Sequence, residues 1–306
     1  AILDIKTSTK SLFDLLLQLA ETHKNKILPG YTHLQVAMPS SFGLWFSSYA
    51  ESLIDDVYFL EAAFRVCDQN PLGSAAGFGS SFPIDRQMTT EEMGFSTLKY
   101  NVIAAQMGRG KTEKATAFGM SAIATTVGKM AMDICMYMGQ DMNFISFPDA
   151  LTTGSSIMPH KKNPDVFELI RAKCNKIQSV PVQLGMLTAN LPSGYHRDLQ
   201  LLKEILLPAI TELQSCLDLM HFAIKDIKPH ETMGADPKYD VMYSVDTLNE
   251  MVLNGMPFRE AYKAMGAQIA AAKYQPKKDL NHVHIGSMGN LCLAEIKLKM
   301  EAACRF

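Results

Sequence analysis

Apolar side chains recur every three or four positions along most of the chain, which is the spacing of one face of an α-helix. The first such segment covers residues 1–25, and further helices are predicted over about 40–68, 101–139 and 197–225. No segment shows the sustained alternation of apolar and polar positions that is typical of a strand. Helices of about 25–40 residues need apolar partners along their whole length. The pattern therefore predicts an all-α fold based on a bundle of long helices.

Glycine and proline mark the expected connections between these helices. Pro29 and Gly30 are predicted to form a turn between the first two helices, and residues 69–84 form a loop rich in Gly, Ser and Pro. A second loop, residues 147–163, comes before a helix that begins near Pro164. The single glycines within 101–139 are expected to be tolerated inside one helix, at a cost of about 1 kcal/mol each.

The character of the chain changes after Lys228 and Pro229. Only shorter helices are predicted there, near 240–253 and 258–273, with Asn254, Gly255 and Pro257 between them. The sequence therefore predicts a central bundle domain, residues 1–228, and a small helical C-terminal domain, residues 229–306.

Composition and charge exclude several classes of function. The 306 residues contain 29 Lys and Arg against 31 Asp and Glu, so nothing favours nucleic acid or an anionic membrane as a partner. The six cysteines form no C-x-x-C pair, which favours free thiols in a reducing compartment. His282 and His284 have no third ligand nearby in sequence, so no metal site is predicted. We expect a cytoplasmic protein that uses neither a metal nor an organic cofactor.

Two predicted connections carry residues with useful chemistry. Thr32, His33 and Gln35 lie in the segment PGYTHLQ, and a histidine there can act as a general acid or base near neutral pH. A lone histidine in a loop is usually only solvated. The second segment, residues 152–164, reads TTGSSIMPHKKNP and combines Gly, two Ser and two Lys ahead of a helix start, which suits an anion. A flexible surface loop with incidental lysines would have the same composition.

A third cluster, residues 195–203, reads YHRDLQLLK. Gln200 and Lys203 are three residues apart, so they are expected to share one helix face just after Tyr195. An ordinary amphipathic helix start would show the same periodicity.

The segment 152–164 resembles the GSSxMPxKxNP signature loop of the fumarase/aspartase superfamily, and the form GYTHLQ-x-A resembles the argininosuccinate lyase family in particular. The resemblance continues through PLGSAAGFGSSFPIDR, MPFREAY and GSMGNL and so covers nearly the whole chain. It implies a homotetramer with a central multi-helix bundle, in which each active site takes one segment from each of three subunits. It also implies a reversible β-elimination that releases fumarate and arginine from argininosuccinate.

The resemblance also implies roles for individual residues. Ser155 would be the base that removes the carbon-bound proton, although from the residues alone His33 is the stronger candidate. Lys161 and Asn163 would stabilise the dianionic intermediate. The remaining implied assignments are His33 paired with Glu168, Thr32 with Asn163 for the fumarate-forming part, and Tyr195, Gln200 and Lys203 for the amino-acid end.

Several positions depart from the family pattern. Argininosuccinate lyases usually carry an acidic pair in place of Leu201 and Leu202, and usually Gln in place of Met38. His160 replaces a frequent Gln and is more typical of adenylosuccinate lyases. Adenylosuccinate lyase therefore stays open as an alternative, as does a non-catalytic, crystallin-like protein on the same fold.

Chains of this family carry a further N-terminal domain with an S-R-N-D segment that contributes to the site. No such segment occurs in these 306 residues. From this resemblance we expect the 306 residues alone to be inactive.

Overall fold

A computed structural model describes residues 1–231 and 233–306, and its architecture is helical. The helices are α1 (Ile2–Thr22), α2 (Phe42–Cys67), α3 (Arg86–Glu92), α4 (Val102–Met107), α5 (Lys111–Tyr137), α6 (Asp165–Ile177), α7 (Val180–Leu187), α8 (Leu202–Ile224), α9 (Ser244–Leu253), α10 (Phe258–Ala270) and α11 (Leu293–Ala303). None of the helices within these residues is both long enough and apolar enough to cross a membrane. The predicted all-α class is confirmed.

The core lies where α1, α2, α5, α6 and α8 pack together. Residues at helical spacing face inward: Ile5, Leu12 and Leu16 from α1 are fully buried, as are Phe46 and Leu53 from α2. Helix α2 begins where predicted because the Ser41 hydroxyl accepts a hydrogen bond from the Leu44 amide at 3.0 Å and so caps the helix.

A polar contact joins α2 to α5 at the edge of this core. Asp133 on α5 accepts hydrogen bonds from Trp45 Nε1 at 3.0 Å and from the Tyr49 hydroxyl at 2.6 Å. Burial raises the pKa of Tyr49, and the negative charge of Asp133 raises it further, so the phenol stays protonated and keeps donating. This shared acceptor fixes the axial register of the two helices.

The prediction that the chain lacks strands is wrong. Strands β1 (Ile27–Thr32) and β2 (Gln35–Ser41) form an antiparallel hairpin between α1 and α2. Pro29 and Pro39 face each other across it, and the register shifts between Pro29 and Tyr31. Two prolines and a bulge in such short strands obscure the alternation by which strands are recognised in a sequence. Short strand pairs also occur elsewhere, namely β3 (Gln69–Asn70) with β4 (Thr97–Leu98), and β5 (Ile145–Ser146) with β6 (Lys228–Pro229).

The predicted continuous helix over 101–139 is also wrong, because α4 and α5 are separated by residues 108–110. Gly110 has a φ of +84°, which a right-handed helix cannot include. A Cβ at Gly110 would lie 2.5 Å from Thr188 Cγ2, so the position also requires glycine for space. This glycine therefore ends one helix and begins the next.

The last 78 residues, 229–306, carry the three shorter helices α9, α10 and α11. The first two agree with the predicted segments, whereas α11 was not predicted. Helix α11 packs on α1 and α2, so the chain returns to the bundle near its last residues. The domain boundary between residues 228 and 229 stays a prediction.

One buried carboxylate makes the stability of this fold depend on pH. Asp56 on α2 is 7% exposed, and burial raises its pKa to about 6, which a hydrogen bond to Thr126 only partly offsets. Because the folded state holds this proton more tightly than the unfolded state, the stabilising effect is present below about pH 4 and is lost as pH rises through about 6.

We therefore expect Asp56→Asn to raise the free energy of unfolding by about 2 kcal/mol at pH 7.5 and to have almost no effect at pH 4. Chemical denaturation at fixed protein concentration measures both values. Asp55→Asn, which removes the exposed neighbouring carboxylate, is the control. A gain of the same size at both pH values would contradict the assignment of a buried, charged Asp56.

Candidate active site

The first cluster lies at the turn of the β1–β2 hairpin rather than in a plain helix-to-helix turn. Thr32 pairs with Gln35, and His33 and Leu34 form the two-residue turn between them. Their φ angles are +52° and +60°, as required of both central residues in a tight hairpin turn. Left-handed backbone in a residue other than glycine costs about 1–2 kcal/mol. The fold thus holds the exposed His33 imidazole at a strained and well-defined position.

Ser155 occupies a distinct environment in the second cluster. Its half-buried side-chain oxygen accepts hydrogen bonds from the backbone N–H groups of Ile157 at 3.3 Å and Met158 at 3.2 Å. Two amide donors on one hydroxyl oxygen stabilise negative charge on that oxygen. Such donors suit a serine oxygen that carries negative charge during a reaction.

The neck of this loop is closed by paired backbone. Thr153 and Asn163 exchange hydrogen bonds at 3.3 and 2.8 Å, and the Thr153 hydroxyl donates to Asp165 in the first turn of α6. Lys162 forms an ion pair with Asp149, which lowers the pKa of that carboxyl group through the hydrogen bond and the positive charge. The loop between, residues 154–162, is therefore held at its two ends, and Ser155 lies two positions after Thr153.

Three of the predicted residues line one open cleft of about 910 Å³. They are Lys161, Asn163 and Glu168, and Glu168 projects from the first turn of α6. Lys161 forms no ion pair with any carboxylate in the described part of the chain, whereas the neighbouring Lys162 is neutralised by Asp149. The cleft therefore combines an unneutralised cation, an amide and a carboxylate.

Other groups in the cleft were not predicted from the sequence. Lys228 comes from β6, and Ser146 comes from β5, which pairs with it. His230 holds this pair of strands by contacting the Asn143 carbonyl at 2.8 Å and the Ser146 hydroxyl at 3.0 Å. No local pattern marks Lys228, because only the fold brings it near the signature loop.

Cys135 also lines the cleft but is unsuited to act as its base. Burial raises the pKa of this thiol to about 11, so it is uncharged at neutral pH. No group of three His, Cys, Asp or Glu side chains in the described residues is placed to hold a metal ion.

The third cluster differs from the sequence prediction in one respect. Gln200 lies in a 3-10 turn, Arg197–Gln200, whereas Lys203 lies in the first turn of α8, so the two do not share the face of a single helix. The sequence pattern predicts one helix over 197–225 and does not distinguish this 3-10 turn from the start of α8. Gln200 instead contacts Tyr195 directly, with 2.5 Å between its side-chain nitrogen and the Tyr195 hydroxyl. Lys203 is exposed.

The predicted residues are therefore only partly brought together within one chain. Thr32 and His33 of the first cluster do not line the 910 Å³ cleft. Neither does Ser155, nor any residue of the third cluster. Each of the three clusters lies at a connection between consecutive helices that pack on each other: α1 with α2, α5 with α6, and α7 with α8, where the third cluster extends into the first turn of α8.

Comparison with known proteins gives consistent results. A family model described as "Lyase" matches residues 1–179. Argininosuccinate lyase from Parabacteroides distasonis is 54% identical over 98% of this chain and 70% of its own length, and that from Bacteroides thetaiotaomicron is 55% identical over 98% and 67%. The crystal structure of EDDS lyase in complex with formate has the same fold, with a TM-score of 0.81 at 18% identity over 99% of this chain and 67% of that one.

The chain thus spans about two thirds of the length of these relatives. More than half of the relatives' residues are shared across this span, and the span includes all three clusters. The chain is a lyase and belongs to the argininosuccinate lyase family.

Proposed function

We propose that this protein catalyses the reversible β-elimination of argininosuccinate to arginine and fumarate, the last step of arginine biosynthesis. The observation that carries the proposal is the Ser155 oxygen with its two amide donors, in a loop whose other end lines a cationic cleft. Six cysteines free of disulfides agree with a cytoplasmic location.

The first step needs a base and a place for negative charge. Ser155 removes the proton from the carbon beside a carboxylate, and the amides of Ile157 and Met158 hold the serine oxygen as an alkoxide. The resulting dianionic carboxylate lies against Lys161 and Asn163, which supply a full charge and directional hydrogen bonds. These donors act most strongly where the charge develops, so they accelerate the chemical step.

The second step needs an acid for the departing nitrogen. His33, paired with Glu168, fills this role, because a protonated imidazole can donate its proton to the departing nitrogen while the carboxylate orients the ring. Thr32 binds the fumarate-forming part together with Asn163. Tyr195, Gln200 and Lys203 hold the amino-acid end.

The 910 Å³ cleft of one chain is lined by neither the first nor the third cluster, which supports sites that are completed by neighbouring subunits. We propose a homotetramer in which each site takes one cluster from each of three subunits. Exposed aromatic side chains on the long helices support this, since Phe59 and Phe118 are more than half exposed on α2 and α5 and flank one apolar groove. A contiguous exposed apolar surface of this kind is typical of a subunit interface.

The tetramer predicts a defined response to substitution in this groove. Phe118→Glu should shift the mass measured by mass photometry from four chains to fewer, because a charge would be buried at the interface without a partner. Leu253→Glu, at an exposed apolar residue of α9, is the control and should leave the mass unchanged. A tetramer that persists in Phe118→Glu would place the interface elsewhere.

If Ser155 is the base, its removal should slow the chemical step without weakening substrate binding. In a preparation that releases fumarate from argininosuccinate, Ser155→Ala should lower kcat by about 10³-fold and change KM far less, since proton transfer occurs only in the transition state. Ser156→Ala is the matched neighbour and should retain most of the rate. If Ser155→Ala keeps a kcat near that of the unmodified enzyme, another group is the base, and His33 is the first to test.

The proposed amino-acid subsite predicts a loss of binding instead. Lys203→Ala should raise KM for argininosuccinate by about tenfold or more, because it removes a charge-assisted hydrogen bond to a carboxylate. Lys225→Ala, at the far end of α8, is the control. An unchanged KM in folded Lys203→Ala would remove this assignment.

An assay of fumarate release also distinguishes argininosuccinate from the alternative substrate, adenylosuccinate. Fumarate released from adenylosuccinate and not from argininosuccinate would assign the protein to purine biosynthesis. Release from neither, by a folded tetramer in a preparation that also contains the S-R-N-D segment of the family, would favour the structural, crystallin-like alternative.

A further inference from the structure

Arg109 reaches from the break between α4 and α5 to the third cluster. Its Nη2 donates a hydrogen bond to the carbonyl oxygen of Leu199 at 3.1 Å, and its Nε lies 3.4 Å from the Glu113 carboxylate. Leu199 is buried and directly precedes Gln200. One side chain therefore joins the beginning of α5 to the 3-10 turn that carries a proposed substrate contact.

The end of this contact on α5 is firmly held. Glu113 accepts hydrogen bonds from the Gly110 amide at 2.7 Å and from the Thr112 hydroxyl at 2.7 Å, which caps the helix. Gly110 in turn packs against Thr188 so closely that no side chain fits there. The Arg109 guanidinium is thus anchored to a fixed part of the bundle.

The end on the third cluster is much less supported. The 3-10 turn has backbone hydrogen bonds of 3.3 Å from Leu199 to His196 and 3.0 Å from Leu201 to Asp198. Between this turn and α5 lies a cavity of about 300 Å³, lined by Arg109, Lys114, Gly194 and His196 among others. One side of the 3-10 turn therefore faces this cavity, and the Arg109 side chain crosses from the beginning of α5 to the Leu199 carbonyl on the turn.

We propose that Arg109 is a positioning residue that fixes Tyr195 and Gln200 for the amino-acid end of the substrate; the identity of that substrate rests on the function proposed above. The planar guanidinium suits the task because it donates to the Leu199 carbonyl in a fixed direction while its charge stays beside the Glu113 carboxylate, whereas a lysine ammonium is a point charge on a flexible stem. Gln200 and Tyr195 are joined by their own contact, so a shift of the turn moves both.

The kinetic test measures the two substrates of the reverse reaction separately. In Arg109→Gln, KM for arginine should rise about tenfold while KM for fumarate changes less than about twofold, because only the amino-acid subsite is displaced. Arg109→Lys keeps the positive charge but loses the planar guanidinium, so its KM for arginine should lie between those of the unmodified protein and Arg109→Gln. Arg65→Gln, which removes an exposed arginine paired with Glu61, is the control. Equal rises in both KM values, or an unchanged KM for arginine, would overturn the proposal.

Hydrogen exchange followed by mass spectrometry tests, without any substrate, whether the Arg109–Leu199 contact holds the 3-10 turn in place. Amides of residues 193–203 should exchange faster in Arg109→Gln, while those of residues 147–163 keep their rates. Unchanged exchange over 193–203 would overturn the proposal even in an active enzyme. An unmodified protein that releases no fumarate even in the presence of the family's S-R-N-D segment would instead refute the proposed function, and the exchange rates would still decide whether Arg109 holds the turn.

Discussion

Helix α5 packs against α2 on one side and α6 on the other, and the remaining structure is arranged around this close contact. A Cβ at Gly119 would lie 3.1 Å from the Leu60 backbone, and one at Gly128 would lie 3.1 Å from Cys174 Cβ. These two glycines let α5 approach its neighbours more closely than larger residues would allow, and Asp133 then fixes the register with Trp45 and Tyr49. Close packing of this kind leaves little room for relative movement of the helices.

The rigidity of the bundle explains how exposed side chains can be accurately placed. His33, Glu168 and Lys203 are all exposed, yet each is at the end of a helix or in a turn tied to one. His33 is held by a strained hairpin turn, Ser155 by two backbone amides, and Gln200 by Tyr195. Within one chain these groups do not line a common cleft, and the homotetramer proposed above would bring them together.

Periodicity predicted the long helices well, because their burial follows directly from the spacing of apolar residues. Helix α2 was predicted over 40–68 and runs from Phe42 to Cys67, with Ser41 as its cap. The failures have physical causes. The hairpin carries prolines and a bulge, the α4–α5 break depends on the φ of Gly110, and the turn at Arg197–Gln200 uses 3-10 rather than α geometry.

Some residues of the candidate site could likewise be identified from the sequence, whereas others could be identified only from the structure. Clusters that are contiguous in sequence were found from their composition and their resemblance to a family. Lys228 and Arg109 were not, because each is distant in sequence from the cluster it lies beside, and only the fold brings it there.

Each cluster also lies in a connection that joins two helices already in contact with each other. The entropy of closing such a loop grows slowly with its length, by about 0.6 kcal/mol for each doubling. Changes in the length of these connections therefore cost the bundle little closure entropy. A fold arranged in this way can acquire new substrates during evolution by changing its connections, while the helices that set the geometry of the site stay as they are.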